Sequence, residues 1–137
     1  MYHVRVTTSL LADAATVADG KLYVHGGGWD AINAAALPLT YPSFALALVL
    51  DLSVPELTGD KVEIVLVDGE DNRILSVTGH LESGGPERYP NKASVNLPLA
   101  LPFSNVPFAR PGIYTFKVSV AGEQIHSLDF LVQTPAQ

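Results

Sequence analysis

Apolar and polar side chains alternate without a break from Tyr114 to Val120: Tyr114, Phe116, Val118 and Val120 against Thr115, Lys117 and Ser119. Successive strand residues point to opposite faces, so a period of two predicts a half-buried strand. Ala121-Gly122 supplies the positive φ of a tight hairpin turn. The return strand places Leu128, Phe130 and Val132 inward and Ser127, Asp129 and Leu131 on the other face. A second hairpin is expected from Lys61 to Leu81, with Val62, Ile64 and Leu66 alternating with Glu63, Val65 and Val67. Its turn is Asp68-Gly69-Glu70-Asp71-Asn72. Leu75, Val77 and Leu81 then return inward, with Ser76, Thr78 and His80 outward.

Phe44 to Leu52 does not alternate and reads as a strand covered on both faces. The first third of the chain predicts two or three strands, Tyr2 to Thr8, a segment around Leu10 to Val17, and Lys21 to Gly28, with a connecting turn at Ala18-Asp19-Gly20-Lys21 and Gly20 left-handed. Asn91 to Leu99 predicts another strand, whose flanking Pro98 and Pro102 suit a sheet edge. Ser83 to Pro90 and Leu101 to Pro111 read as loops. No segment carries the 3.6-residue period of a helix of normal length; Ala31 to Ala36 is expected to form one helical turn before Pro38. The fold these patterns predict is all-β: an antiparallel two-sheet sandwich, immunoglobulin-like, of seven to nine strands in a single domain over residues 1–137, with a closed β-barrel as the alternative.

Composition narrows the partners. The chain has 137 residues, no cysteine and a formal charge of -6. Disulfides and thiolate metal sites are therefore excluded. The basic residues are scattered, so the concentrated positive charge that nucleic acid requires is missing. The longest apolar run, Phe44 to Leu50, is far short of the ~20 residues that span a bilayer, and the first residues lack the pattern of a signal peptide. Nucleic-acid and membrane partners are thus not expected, and the location expected is the cytoplasm. Charged residues make up only 16% of the chain, against about 25% in ordinary soluble domains. Mean hydropathy is positive. So little polar covering suggests that part of the surface is buried against a protein partner or a second copy.

Candidate chemistry is sparse. His25-Gly26-Gly27-Gly28-Trp29-Asp30 is glycine-rich, but neither a helix start nor a Gly-Lys-Ser/Thr ending follows, as phosphate cradles require. The glycines are read instead as a bulge or bend that lets another backbone approach, with Trp29 capping one end of the core. His3, His25, His80 and His126 have no metal-ligand spacing, and no cofactor is implied. Asp13, Asp30 and Asp51, or Glu82 and Glu87, offer carboxylate pairs of no specificity, and Asp13 is read as accepting backbone hydrogen bonds at a turn. Ser9, Ser43 and Ser104 lack a Gly-x-Ser-x-Gly context. No catalytic constellation is found, and the chain is not expected to be an enzyme.

Two stretches carry a family resemblance. Ala12 to Ala15, Asp19 to Tyr23 and Gly26 to Trp29 resemble the Ala-Asp-x-Ala, Asp-Gly-Lys-Leu-Tyr and Gly-Gly-Gly-Trp opening of an uncharacterised family of short bacterial proteins. Pro111 to Phe116 is similar to that family's closing hairpin. The resemblance implies a small β-sandwich of bacterial or phage origin, with a virion as the alternative location if the source is a phage, and transfers no site. The expectation is therefore a non-enzymatic module that self-associates or docks on a larger cellular or phage assembly. The alternative is a small-ligand or carbohydrate-binding module whose loops carry His25, Trp29, Asp30, Tyr41 and Tyr89.

Overall fold

The computed structural model describes residues 4–53, 61–81 and 94–135. Nine strands run in chain order: β1 (Val4–Ala18), β2 (Lys21–Trp29), β3 (Ala31–Asn33), β4 (Leu39–Ser53), β5 (Lys61–Val67), β6 (Arg73–His80), β7 (Ser94–Phe108), β8 (Gly112–Val120) and β9 (Glu123–Gln133). They form two sheets, one ordered β2-β1-β4-β7 and the other β3-β9-β8-β5-β6. No ladder joins the two sheets among the described residues, so the architecture there is a sandwich rather than a closed barrel.

The two expected hairpins form. Tyr114, Phe116, Val118 and Val120 are buried, as are Phe130 and Val132 on β9. Ala121 and Gly122 both take positive φ, 52° and 84°. Val62, Ile64 and Leu66 are buried on β5, and Val65 and Val67 are buried too, because β5 lies inside its sheet between β8 and β6. Asp19 and Gly20 turn β1 into β2 with φ of 52° and 71°, the paired positive values of a two-residue hairpin turn.

Three expectations need correction, and the number of strands in the first third is two, the smaller of the counts expected. Val4 to Thr8 and Leu10 to Val17 are parts of one strand, and Tyr2 lies outside the described residues. Its pairing with β4 shifts between Val6 and Thr8, and a bulge there reverses which face each residue takes. Val4 and Val6 pack against the core before the bulge and Leu11 after it. The phase break in the sequence is this bulge, where Thr7 Oγ1 donates to the Val49 carbonyl at 3.2 Å.

Ala31 to Ala36 is not helical: Ala31–Asn33 is a short strand running parallel to β9. The second sheet is therefore mixed, not antiparallel throughout. The chain crosses from the edge of one sheet to the edge of the other at Asp30, whose carbonyl accepts from Leu131 N at 2.9 Å.

Leu101 to Pro111 is not a loop. Most of it belongs to β7, which does lie at a sheet edge, where missing proline N–H groups are tolerated. The remainder of the Asn91 strand and the Ser83–Pro90 loop fall outside the described residues.

The core depends on matched distortions. On β4, Phe44, Leu46, Leu48, Leu50 and Leu52 face the second sheet, whereas at its start Leu39 and Tyr41 do so. Pro42 and, across the ladder, Asn105 with φ 54° stand where the phase changes. Val106 and Phe108 are thereby turned inward alongside Phe103. Ala45 and Ala47, on the opposite face of β4, are also buried, as the lack of alternation implied. The sheet is curled: β7 comes within 8 Å, Cα to Cα, of β1 and β2 as well as β4.

All five phenylalanines are buried in one cluster. Phe44 lies 5.5 Å from Phe103, 6.2 Å from Phe116 and 6.5 Å from both Phe108 and Phe130, ring centre to ring centre. Tyr114 packs edge-on against Phe108 at 5.0 Å, and its hydroxyl donates to the Arg110 carbonyl at 2.7 Å.

Phe116→Ala is therefore expected to cost roughly 3–5 kcal/mol in denaturant unfolding, because it opens a cavity at the junction of both sheets. Lys117→Ala, on the other face, loses an exposed ion pair with Asp71 and is expected to cost less than about 1 kcal/mol.

Candidate functional site

Past Ala12, β1 no longer pairs with β4 and is held by β2 alone. Asp13 to Gly28 thus leaves the sandwich as a two-stranded ribbon, and most of its residues are exposed. Val17 is 42% exposed, Tyr23 47% and Val24 36%, three of the four large apolar side chains found exposed among the described residues. Val17 stands opposite Leu22 and Ala15 opposite Val24, so one face of the ribbon is an apolar stripe. Tyr23, opposite Thr16, and His25, opposite Ala14, take the other face.

The glycines sit at the root of this ribbon. Pairing runs Leu11 to Trp29 and Ala12 to Gly27, which leaves Gly28 as an extra residue, with φ 93°. The bulge foreseen in the sequence is present, but among the described residues the atoms nearest a Cβ at Gly26 or Gly27 belong to side chains rather than to another backbone. A Cβ on Gly27 would lie 2.5 Å from Val24 Cγ1 and 3.0 Å from Leu10 Cδ1, so side chains fill the space. Gly26 makes room for the Asp13 side chain in the same way. Asp13 lies within β1 and not at a turn as expected.

The candidate ligand residues do not converge. Trp29 packs edge-on against Phe44 at 6.0 Å, and Tyr41 does so at 5.7 Å, which commits both rings to the core. Asp30 is exposed at the sheet crossing, His25 is exposed out on the ribbon, and Tyr89 lies outside the described residues. None of His25, Trp29, Asp30 or Tyr41 lines either of two clefts. One, of about 260 Å³, is bounded by Asp68, Gly69, Glu70, Arg110, Pro111 and Tyr114. The other, of about 100 Å³, is an apolar slot between β5–β6 and Leu99 and Leu101 of β7.

The Trp29 indole Nε1 is buried and has no acceptor among the described residues. Such a group costs about 1–3 kcal/mol relative to a paired one.

Two polar clusters could not be read from the sequence. Ser9 Oγ and His126 Nε2 share a hydrogen bond of 2.7 Å across residues 117 positions apart. A nucleophile and a base meet here, yet no carboxylate accepts a hydrogen bond from the histidine among the described residues, and neither cleft opens onto the pair. The bond instead links β1 of one sheet to β9 of the other.

Asp68 organises the β5–β6 turn. Its Oδ1 accepts the backbone N–H groups of Glu70 and Asn72, both at 2.9 Å, and its Oδ2 accepts Asn72 Nδ2 at 3.1 Å. The Asn72 backbone bond is the main cause that holds this carboxyl below its ordinary value of 3.8. The neighbouring Glu70 and Asp71 are paired with Arg110 and Lys117. No group of three or more potential metal ligands occurs among the described residues.

Trp29→Ala is expected to destabilise the fold by roughly 2–4 kcal/mol, whereas Trp29→Phe, which keeps a ring on Phe44 and deletes the unpaired N–H, stays within about 1 kcal/mol of the parent. Gly28→Val is expected to cost about 1–2 kcal/mol by backbone strain. Denaturant unfolding of the three variants checks this. Asp68 has a lowered folded-state value, so its contribution is complete above the ordinary carboxylate range and is lost as pH falls below it. Asp68→Ala should lower the melting temperature at about pH 7 and have a smaller effect at about pH 3.

A β-glucosidase from Listeria innocua superimposes at 8% identity with a TM-score of 0.50, over 97% of this chain and 16% of its own. The alkylpurine DNA glycosylase AlkC of Pseudomonas fluorescens gives 12% identity and a TM-score of 0.47, over 95% of this chain and 30% of its own. This chain therefore spans less than a third of either structure. No curated protein sequence matches it. Residues 7–133 match a family of unknown function, DUF6941, and the chain belongs to that family.

Proposed function

We propose that this chain is a non-enzymatic interaction module, built on an immunoglobulin-like sandwich, that works by self-association or by docking on a larger assembly. The observation that carries the reading is the Asp13–Gly28 ribbon. A two-stranded ribbon is marginal in water by itself, and this one extends from the sandwich with Val17, Tyr23 and Val24 exposed. It belongs to a chain with few charges to keep such a surface solvated. The immunoglobulin-like assignment draws support from the Tyr114 hydroxyl bonded back to the Arg110 carbonyl, a contact of the kind that closes a strand corner in such sandwiches. The ligand-binding alternative is weakened because Trp29 and Tyr41 pack against the buried Phe44 ring and line neither cleft.

Light scattering tests the self-association branch. The full chain has a mass of 14.6 kDa. At tens of micromolar, roughly the range where modest apolar contacts form, the particle mass is expected to exceed that value and rise with concentration. Added salt should not dissolve the association, since apolar burial is not screened. A monomer throughout the range overturns this branch.

A further inference from the structure

Each sheet edge presents unpaired backbone groups that invite another strand unless something blunts it. Among the described residues two of the four edges are guarded. β7 carries Pro98, Pro102 and Pro107, which lack an N–H. β3 spans only Ala31–Asn33. β6 is a regular edge, but its large apolar side chains are half-buried and the side chains it exposes are polar: Arg73, Ser76, Thr78 and His80. The β2 edge differs. Its root is kinked by positive φ at Gly26 and Gly28, but Lys21 to His25 is regular strand paired through every residue to β1, with no proline or bulge.

We infer that this β2 segment is a pairing site for a second copy of the chain, joined antiparallel about a two-fold axis through Tyr23. The inference rests on the interaction-module reading above and names its surface and occupant.

Self-complementarity favours a second copy. A two-fold contact must place the same patch against itself. With Tyr23 opposite Tyr23 of the other copy, Leu22 falls opposite Val24 and Lys21 opposite His25. Leu22 and Val24 share the face that holds Val17 and Ala15, so two apolar stripes become one continuous surface. On the other face the two tyrosine rings are neighbours, an aromatic cross-strand pair. No carboxylate meets a carboxylate in this register. The order β2-β1-β4-β7 then continues through β2 into the second copy's sheet. The segment supplies only about five residues per copy, against the ~20–30 of a standard interface. The dimer is accordingly concentration-dependent.

The chain has no cysteine, so single cysteines report the register directly. Directly opposed residues in antiparallel strands have Cα atoms about 4.5–5.5 Å apart, within the disulfide range. Under mild oxidation at tens of micromolar, Tyr23→Cys is expected to be recovered mostly as a linked dimer on a non-reducing gel. Ile113→Cys, equally exposed on β8 of the other sheet, should remain mostly monomeric. Lys21→Cys and His25→Cys should each link poorly alone, since like positions lie about 13 Å apart in this register, and should link to each other when mixed. Val24→Lys should lower the dimer fraction of the parent at least tenfold. Equal linking at Tyr23 and Ile113, or no cross-linking between the Lys21 and His25 variants, overturns the site. If light scattering nevertheless shows an oligomer, the interaction-module reading stands and only the β2 surface falls. A parent monomeric by scattering, with no linking at Tyr23, removes this site and the self-association branch together.

Discussion

The packing of both sheets onto one ring, Phe44, is the constraint on which the rest of the structure depends. Trp29, Tyr41, Phe103, Phe108, Phe116 and Phe130 all have ring centres within 6.5 Å of it. These come from β2, β4 and β7 of one sheet and β8 and β9 of the other, so the aromatic cluster connects both sheets. Large rings at one level hold the sheets apart evenly and leave little room for error in strand phase.

That demand accounts for the irregularities. A strand of fifteen residues twists too far to keep one face on a single core along its whole length. The bulge at Thr7, the Pro42–Asn105 change of phase and the extra residue at Gly28 each re-aim the following side chains. Leu11, Phe108 and Trp29 reach the core because of them. Gly28 also ends β2 where the chain must cross to the other sheet, and Trp29 packs into that crossing.

The same geometry frees the ribbon. β1 is shared between two partners, β4 up to Ala12 and β2 beyond it. The sandwich uses its first half, and the second half projects with its hairpin. Stability is thus concentrated at the Phe44 cluster, while the exposed apolar surface gathers on a part of the chain whose alteration leaves that cluster untouched. This separation suits an interaction role, since a docking surface can vary without disturbing the core.

The hairpins of β5–β6 and β8–β9, the turns at Asp19-Gly20 and Ala121-Gly122, the buried character of β4 and the edge position of β7 were all legible in the sequence. Each is a local consequence of side-chain period, of turn residues that tolerate positive φ, or of the missing proline N–H. The family was legible as well, through Gly26 to Trp29 and Pro111 to Phe116. What the sequence could not determine was how those pieces share neighbours. Val6 and Leu11 look like two strands because a bulge hides inside one. Ala31–Asn33 becomes a strand only because β9 offers it an edge. Ser9 meets His126, and Trp29 meets Phe44, only through sheet packing. Tyr23 and Val24 read as ordinary strand residues, and it is the departure of β4 from β1 after Ala12 that leaves their ribbon in solvent. Local pattern fixes which residues can be strand; the competition among strands for a limited number of edges and one core decides which surfaces stay uncovered.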